Sequence, residues 1–452
     1  MKRRNFLQAT GAAFAALSAS GCVTRPAQTV NALADAPYTR AVGYGELVTD
    51  PNGLLDLPES FSYRVLSSLG DAMSDGARVP DKADGMGCFD LGDGRLALVR
   101  NHELVPSDDA GGRFDHGFGT NAGEWVPGGT THVVVDANSL SVLDQFRSLG
   151  GTIRNCSGGV TPWGTWLTCE ESPTGPGQKY GDGLNQNHGW VFEVPADAQG
   201  LIEATPLTAM GRFNHEAACV DPKTGFVYLT EDRDDSVLYR FKPSVPGRLA
   251  EGGQLQAMQV RGIADLRNWS GTNIKSAAPA AVQWVDLENV ESPLDDLRLH
   301  AAARGASLIA RGEGIHMGES EAFVCSTSGG SAGLGQIFRL ALSPSGEDDR
   351  IELFFESVSH HQFNFGDNLT VAPNGHLVVC EDQYTDVVDN HLRGITADGY
   401  AYPIAKLNLQ TELAGACFSP DGKVLFVNVY APTKTLAITG PWEQFNERLI
   451  TV

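Results

Sequence analysis

Residues 85–103 read GMGCFDLGDGRLALVRNHE: an apolar run, an Asp93-Gly94 turn, a second apolar run and a terminal acid, Glu103. Asp-Gly between two such segments is a strong short-range signal for a β-hairpin, because the tight turn needs positive φ at both central residues. The pattern recurs as GGVTPWGTWLTCEE to Glu171, EAACVDPKTGFVYLTED to Asp232, GIHMGESEAFVCSTS to Ser328, NLTVAPNGHLVVCED to Asp382 and GACFSPDGKVLFVNVY to Tyr430. Each copy predicts a hairpin whose second strand delivers its last residues to a common place. Arranged radially, six such units make an all-β, six-bladed β-propeller with a central metal site, in which almost every strand edge is protected. A two-sheet sandwich split over several domains is the competing architecture, and the sixfold recurrence weighs against it.

Composition agrees with short strands and many turns: the 452 residues include 52 Gly, and only 19% are charged. Residues 35–452 are expected to form one domain. Its lead-in, roughly residues 35–80, supplies an outer strand to the last blade. Other outer strands are expected at 131–136, 190–194, 237–241 and 336–340. The widest gap, between Asp232 and Glu313, predicts an insertion with a small helix over 293–304 that overhangs the channel. A formal net charge of −22 argues against nucleic acid, whose phosphates need Lys and Arg, and against an anionic membrane surface.

Residues 1–34 read as a targeting segment. Arg3-Arg4-Asn5-Phe6-Leu7 precedes a mildly apolar run and resembles a twin-arginine export signal. The export machinery is therefore an expected partner, and the mature protein is expected to be a monomer, periplasmic or extracellular. Ala19-Ser20-Gly21-Cys22 resembles a lipobox without its usual leucine, making Cys22 a candidate lipid tether; cleavage after Ala34 is the alternative. No later stretch is long and apolar enough to span a bilayer as a helix. Of the eight cysteines, Cys88, Cys219 and Cys417 share one position in their units and read as small buried side chains. Cys169, Cys325 and Cys380 share another, at the end of the second strand.

Acids gather where units begin and end: Glu103, Glu170, Glu171, Glu216, Glu231, Asp232, Glu313, Glu381, Asp382 and Glu412. One alone is ordinarily a solvated turn residue. Several converging on an axis repel one another and would hold protons unless cations are bound, and Ca²⁺ accepts six to eight oxygens in irregular geometry. A thiolate beside them points to a softer or redox-capable metal such as iron. Cys169 is the candidate, although Cys325 and Cys380 occupy equivalent positions. His102, His215 and His316 are candidate outer-shell donors or phosphate contacts.

The strings Arg154-Asn155-Cys156-Ser157-Gly158-Gly159, TPWGTWLTCEE (161–171), Gly211-Arg212-Phe213-Asn214-His215-Glu216 and residues 412–422 resemble the PhoX-type alkaline phosphatases, over nearly the whole chain from about residue 40. The resemblance implies a twin-arginine-exported propeller that hydrolyses phosphate monoesters, with diesters as a second class, at a centre of Fe³⁺ and Ca²⁺. It implies that Cys169 ligates iron, that Glu216 and Glu313 are iron carboxylates, and that the remaining acids hold calcium. The family's Arg-Pro-Glu-Gly appears as Arg311-Gly312-Glu313-Gly314, making Arg311 the catalytic residue that grips the substrate phosphate. A calcium-dependent lactonase-like hydrolase and a non-catalytic calcium-binding propeller are the rival readings.

Overall fold

The computed structural model describes residues 37–178, 181–383 and 388–452. The twin-arginine string and Cys22 lie outside the described residues. Six antiparallel hairpins form the frame. Their strand pairs are Ala83–Gly92 with Arg95–His102, Asn155–Val160 with Thr165–Glu170, and His215–Val220 with Val227–Glu231. The other three are Gly312–Met317 with Glu321–Ser326, Gly366–Val371 with Leu377–Glu381, and Leu413–Phe418 with Val424–Val429. The Asp93-Gly94 turn closes the first, with φ of 52° and 74°, as a two-residue hairpin requires.

The first strands of these hairpins contact one another in cyclic order, the sixth lying against the first. Further strands extend the hairpins outward, giving an all-β, propeller-like arrangement. The expected lead-in strand is present: Ser62–Ser68 pairs with Lys434–Thr439 at the rim of the last sheet. The first and last described strands are tied as well, Thr39–Gly43 pairing with Asn446–Thr451. The insertion contains strand Ala280–Asp286, which joins the third and fourth sheets, and the helix Leu297–Ala303. That helix starts later than the expected residue 293 because Asp295 has φ of 53°, which no right-handed helix accommodates.

Each gap between successive hairpins holds its own apolar cluster. Leu98 and Val133 meet Phe426 and Ala437 between the last and first hairpins, for example, while Leu167 and Cys169 meet Ala218 and Leu229 between the second and third. Full burial of one such Phe or Leu is worth roughly 1.5–3 kcal/mol. Near the axis the strands approach too closely for side chains. A Cβ on Gly158 would lie 1.9 Å from the Leu167 carbonyl oxygen, and one on Gly159 would lie 1.8 Å from that of Ala218. Among the described residues no helix is long and apolar enough to cross a membrane.

Candidate metal centre

One local motif, repeated six times, builds the centre. The residue after each second strand donates its N–H to the carbonyl just before the paired first strand: Glu103 to Lys82, Glu171 to Arg154, Asp232 to Asn214, Thr327 to Arg311, Asp382 to Phe365 and Tyr430 to Glu412, at 2.8–3.2 Å. Four of the acceptor residues, Lys82, Arg154, Arg311 and Phe365, are left-handed, with φ from 49° to 54°. Such conformations cost of order 1–3 kcal/mol each in non-glycine residues and cluster at functional sites. Two residues further along the first strand the register shifts at a bulge in five hairpins, and in the sixth Ala414 is the last paired residue before the shift. The residues at that step are Asp84, Cys156, Glu216, Glu313, Asp367 and Ala414. The bulge re-aims side chains at the inner edge of the sheet.

Two sets of acids therefore converge. Asp84, Glu103 and Cys156 bring ligand atoms within 4.8 Å of one another; so do Cys156, Glu171 and Glu216; Glu216, Glu313 and Asp367; and Asp367, Asp382 and Glu412. Cys156, Glu216 and Asp367 each belong to two of these groups. The Cys156 thiol lies 3.3 Å from Glu216 Oε1 and 3.7 Å from Asp84 Oδ2. Glu103, Glu171, Glu216, Glu313 and Asp382 thus come together. Asp232 adjoins them but is held by Arg311, whose Nε and Nη2 donate to its two oxygens at 2.7 and 3.2 Å. Arg311 also donates to Glu313 at 2.8 Å. Arg154 spans Glu103, at 2.6 Å, and Glu171.

The electrostatics are those of a crowded anionic pocket. Burial first, then neighbouring carboxylates, pushes Asp84, Glu216, Glu313 and Glu412 well above the usual carboxylate range. Burial raises Glu171 to about 8 despite Arg154, and Asp367 to about 7. Burial also opposes ionisation of Glu103 and Asp232. There Arg154, Tyr430 and Lys82 in the first case, and chiefly Arg311 in the second, hold the carboxyl below its ordinary value. The Cys156 thiol is pushed up by burial and by Asp84 and Glu216.

Five metal candidates from the sequence are not in these groups: Asp232, which adjoins them, and Cys169, Glu170, Glu231 and Glu381. Cys169, taken as the thiolate, lies in the apolar cluster between hairpins; the thiol gathered with the carboxylates is Cys156. Cys169 stands two residues before Glu171, in a column with Asn101, Thr230, Cys325, Cys380 and Asn428. Members of that column face the next hairpin: Asn101 donates to the Cys156 carbonyl, Thr230 to that of Glu313 and Asn428 to that of Asp84, at 2.6–2.9 Å. Glu170 turns into its sheet and accepts from Ile153 N–H, His188 Nδ1, Gly189 N–H and Trp190 N–H. Glu381 accepts from Arg393, Asn364 N–H and His391, and Glu231 from Tyr239. The expected histidine contacts also lie elsewhere. His102 is bound to the Asp81 carbonyl and Thr131, and His215 to the Gly211 carbonyl. His316 helps line a cavity of about 330 Å³, with Met86, Trp166, Cys219 and Cys417, whose wall begins one residue beyond the bulge step.

Asp84, Cys156 and Asp367, which the structure brings into these groups, escaped sequence reading as candidates. The signal lay in aligning Lys82-Ala83-Asp84, Arg154-Asn155-Cys156, Asn214-His215-Glu216, Arg311-Gly312-Glu313, Phe365-Gly366-Asp367 and Glu412-Leu413-Ala414, each the start of a first strand.

Fold and site together define a propeller-like β-protein with a buried carboxylate–thiol constellation at the axis. The chain belongs to the family described as alkaline phosphatase PhoX, which it matches over residues 42–145 and 136–433, and it is a phosphoric ester hydrolase by class. Among solved structures, Pseudomonas fluorescens PhoX in complex with vanadate, a transition state analogue, is 19% identical with a TM-score of 0.68, covering 89% of this chain and 97% of that one. A gluconolactonase from Xanthomonas campestris is 15% identical with a TM-score of 0.38, covering 84% and 98% respectively. No curated protein matches the sequence.

Proposed function

We propose that the protein is an exported, metal-dependent phosphatase that hydrolyses phosphate monoesters, and diesters as a second class, at an iron–calcium centre on the axis of one six-bladed propeller spanning residues 35–452. The observation that carries this reading is the chain of four overlapping donor groups around a single thiol. Cys156 among Asp84, Glu103, Glu171 and Glu216 is a mixed soft and hard set that suits iron. The all-oxygen groups Glu216, Glu313, Asp367 and Asp367, Asp382, Glu412 suit calcium. Asp84 Oδ1 is buried with no hydrogen-bond partner among the described residues, an arrangement that fits a cation ligand.

Bound cations supply Lewis-acid polarisation of the phosphoryl oxygens and the positive charge that keeps crowded carboxylates ionised. The protein's own groups orient the ester. Arg311, its side chain 25% exposed, has its guanidinium fixed by Asp232 and Glu313. Arg154, 36% exposed, is fixed by Glu103 and Glu171. Each planar fork can take two phosphoryl oxygens and offset the charge that develops on them in the transition state. Support for phosphate chemistry comes from family membership. Residues 1–34 serve as the twin-arginine signal, with Cys22 as a lipid tether, and place a monomeric enzyme in the periplasm or outside the cell.

Elemental analysis of the natively exported protein, with hydrolysis of p-nitrophenyl phosphate from neutral to strongly alkaline pH, tests the reading. Iron and calcium together, with vanadate-sensitive hydrolysis, are expected. Calcium alone with no hydrolysis would overturn it in favour of a calcium-binding or lactonase-like propeller.

A further inference from the structure

The string GRFNHE, residues 211–216, carries an arginine that the axial groups do not use. Arg212 is fully buried. Its Nε donates to the His188 carbonyl at 2.7 Å, Nη1 to the Ser292 carbonyl at 3.2 Å, and Nη2 to the Pro173 carbonyl at 2.8 Å and Gln178 Oε1 at 3.1 Å. Its main-chain N–H donates to the Val290 carbonyl at 2.8 Å. None of these acceptors is a carboxylate, and a buried guanidinium without such a partner is expensive to keep. Its acceptors explain its place. They come from two separate stretches of chain, residues 172–178 with 188–190, and residues 287–296. Gln178 completes the link, its Nε2 donating to the Pro293 carbonyl at 2.6 Å.

Both stretches are anchored to axial residues. The first follows Glu171 directly, and Glu170 holds its far end through His188, Gly189 and Trp190. The second presents Asp295, which accepts from Arg233 at 3.1 Å, and Arg233 follows Asp232. Arg298, in the helix that continues this stretch, pairs with Asp235 at 2.7 Å. The stretch is left-handed at Asn289 and Asp295, each with φ of 53°, a conformation that Asn and Asp adopt more readily than other non-glycine residues.

We propose that Arg212 is a positioning residue for phosphate-ester hydrolysis: it staples these two stretches into one rim beside the axial acids, fixes Arg233 at that rim, and so governs substrate capture rather than the chemical step. This rests on the phosphatase reading above. A rim set an ångström out of place weakens capture while the axial groups are unchanged.

The test uses metal-loaded wild type, Arg212→Met, Arg212→Lys and Gln178→Ala, with KM and kcat measured on p-nitrophenyl phosphate and hydrogen exchange followed in both stretches. Arg212→Met is expected to raise KM about tenfold with kcat within about threefold and metal content unchanged. Arg212→Lys should fall between it and wild type, and Gln178→Ala should raise KM about two- to threefold. Exchange should rise in residues 172–178 and 287–296 together. Wild-type KM in Arg212→Lys and Gln178→Ala, an equal loss confined to kcat, or loosening of one stretch alone would overturn the proposal even with an active wild type. A metal-loaded wild type that hydrolyses no phosphate ester would instead overturn the functional reading, and this inference with it.

Discussion

Three hairpins end in adjacent acids, and the two members of each pair occupy different physical worlds. Glu170, Glu231 and Glu381 turn back into their sheets, where protein donors meet both oxygens of Glu170 and Glu381. Among the described residues Glu231 accepts from Tyr239 alone, with Arg298 3.6 Å from its Oε1, and burial raises it to about 8. Glu171, Asp232 and Asp382, one residue later, leave the strand and reach the axis, where carboxylates and arginines face them. Residue type, charge and position along the chain are nearly the same; direction differs. A strand sends successive side chains to opposite faces, so one step separates a structural carboxyl from a candidate ligand. Glu381 is an instructive extreme: burial opposes its charge, yet Arg393 and His391 hold its carboxyl below the ordinary value. Glu171 has Arg154 and still rises to about 8.

The sharpest way to break this contrast is through the thiols. On the iron–calcium reading proposed above, Cys156→Ser should lose iron and lower hydrolysis at least about 10²-fold, since outer-shell losses alone cost 10–100-fold. Cys169→Ser should keep both metals and most activity, losing about 1–2 kcal/mol of stability because a hydroxyl enters an apolar cluster. Metal content and aryl phosphatase assays on the two variants decide it; metal loss in the second alone would reverse the assignment made from the axial geometry.

A smaller effect separates the acids of one pair. Glu170→Gln places an amide NH₂ against main-chain donors and should cost about 1–3 kcal/mol of unfolding free energy while the cations stay bound. Glu171→Gln should lower cation stoichiometry and leave the cation-free fold no less stable, because its carboxyl is already reluctant to ionise. Denaturant unfolding with and without chelator reads both. Destabilisation of the cation-free protein by Glu171→Gln would mean that Arg154 outweighs the crowding.

How much of this was readable in the letters follows from the same geometry. The hairpins announced themselves through Asp93-Gly94 and Asn374-Gly375 turns, and Glu171 and Asp382 through their terminal places. Counting alternation back from those turns fails at the bulge. There the first strand carries an extra residue, Ala83 and Met86 standing opposite His102 and Arg100. A one-residue slip exchanges the two faces of a strand, which is why Asp84, Cys156 and Asp367 were passed over; Cys169, on the second strand, was chosen because it stands beside Glu170 and Glu171 in the string that carries the family resemblance. Buried partners such as His188 for Glu170 come from loops whose path no local pattern encodes.

The smallest effect is a slope, to which Glu171 and Asp367 at the axis contribute with one sign and Glu381 in its sheet with the other. In chelated protein Glu171 and Asp367, with folded values near 8 and 7, lie above their unfolded values. The unfolded chain therefore binds fewer protons between about pH 4 and 8, so their contribution is fully present below the unfolded value and is lost as pH rises. Glu381, held below its ordinary value by Arg393 and His391, contributes in the opposite sense: its stabilisation is present above about pH 4.5 and is lost as pH falls. Each net proton changes stability by about 1.4 kcal/mol per pH unit. Chelated protein should therefore unfold at lower urea at pH 8 than at pH 6, cation-loaded protein should keep only the smaller slope due to Glu231, which burial raises to about 8 away from the cation groups, and Glu381→Gln should leave the slope intact. A chelated protein as stable at pH 8 as at pH 6 would mean that the axial acids are already ionised without cations, Arg154 and Arg311 sufficing to hold them.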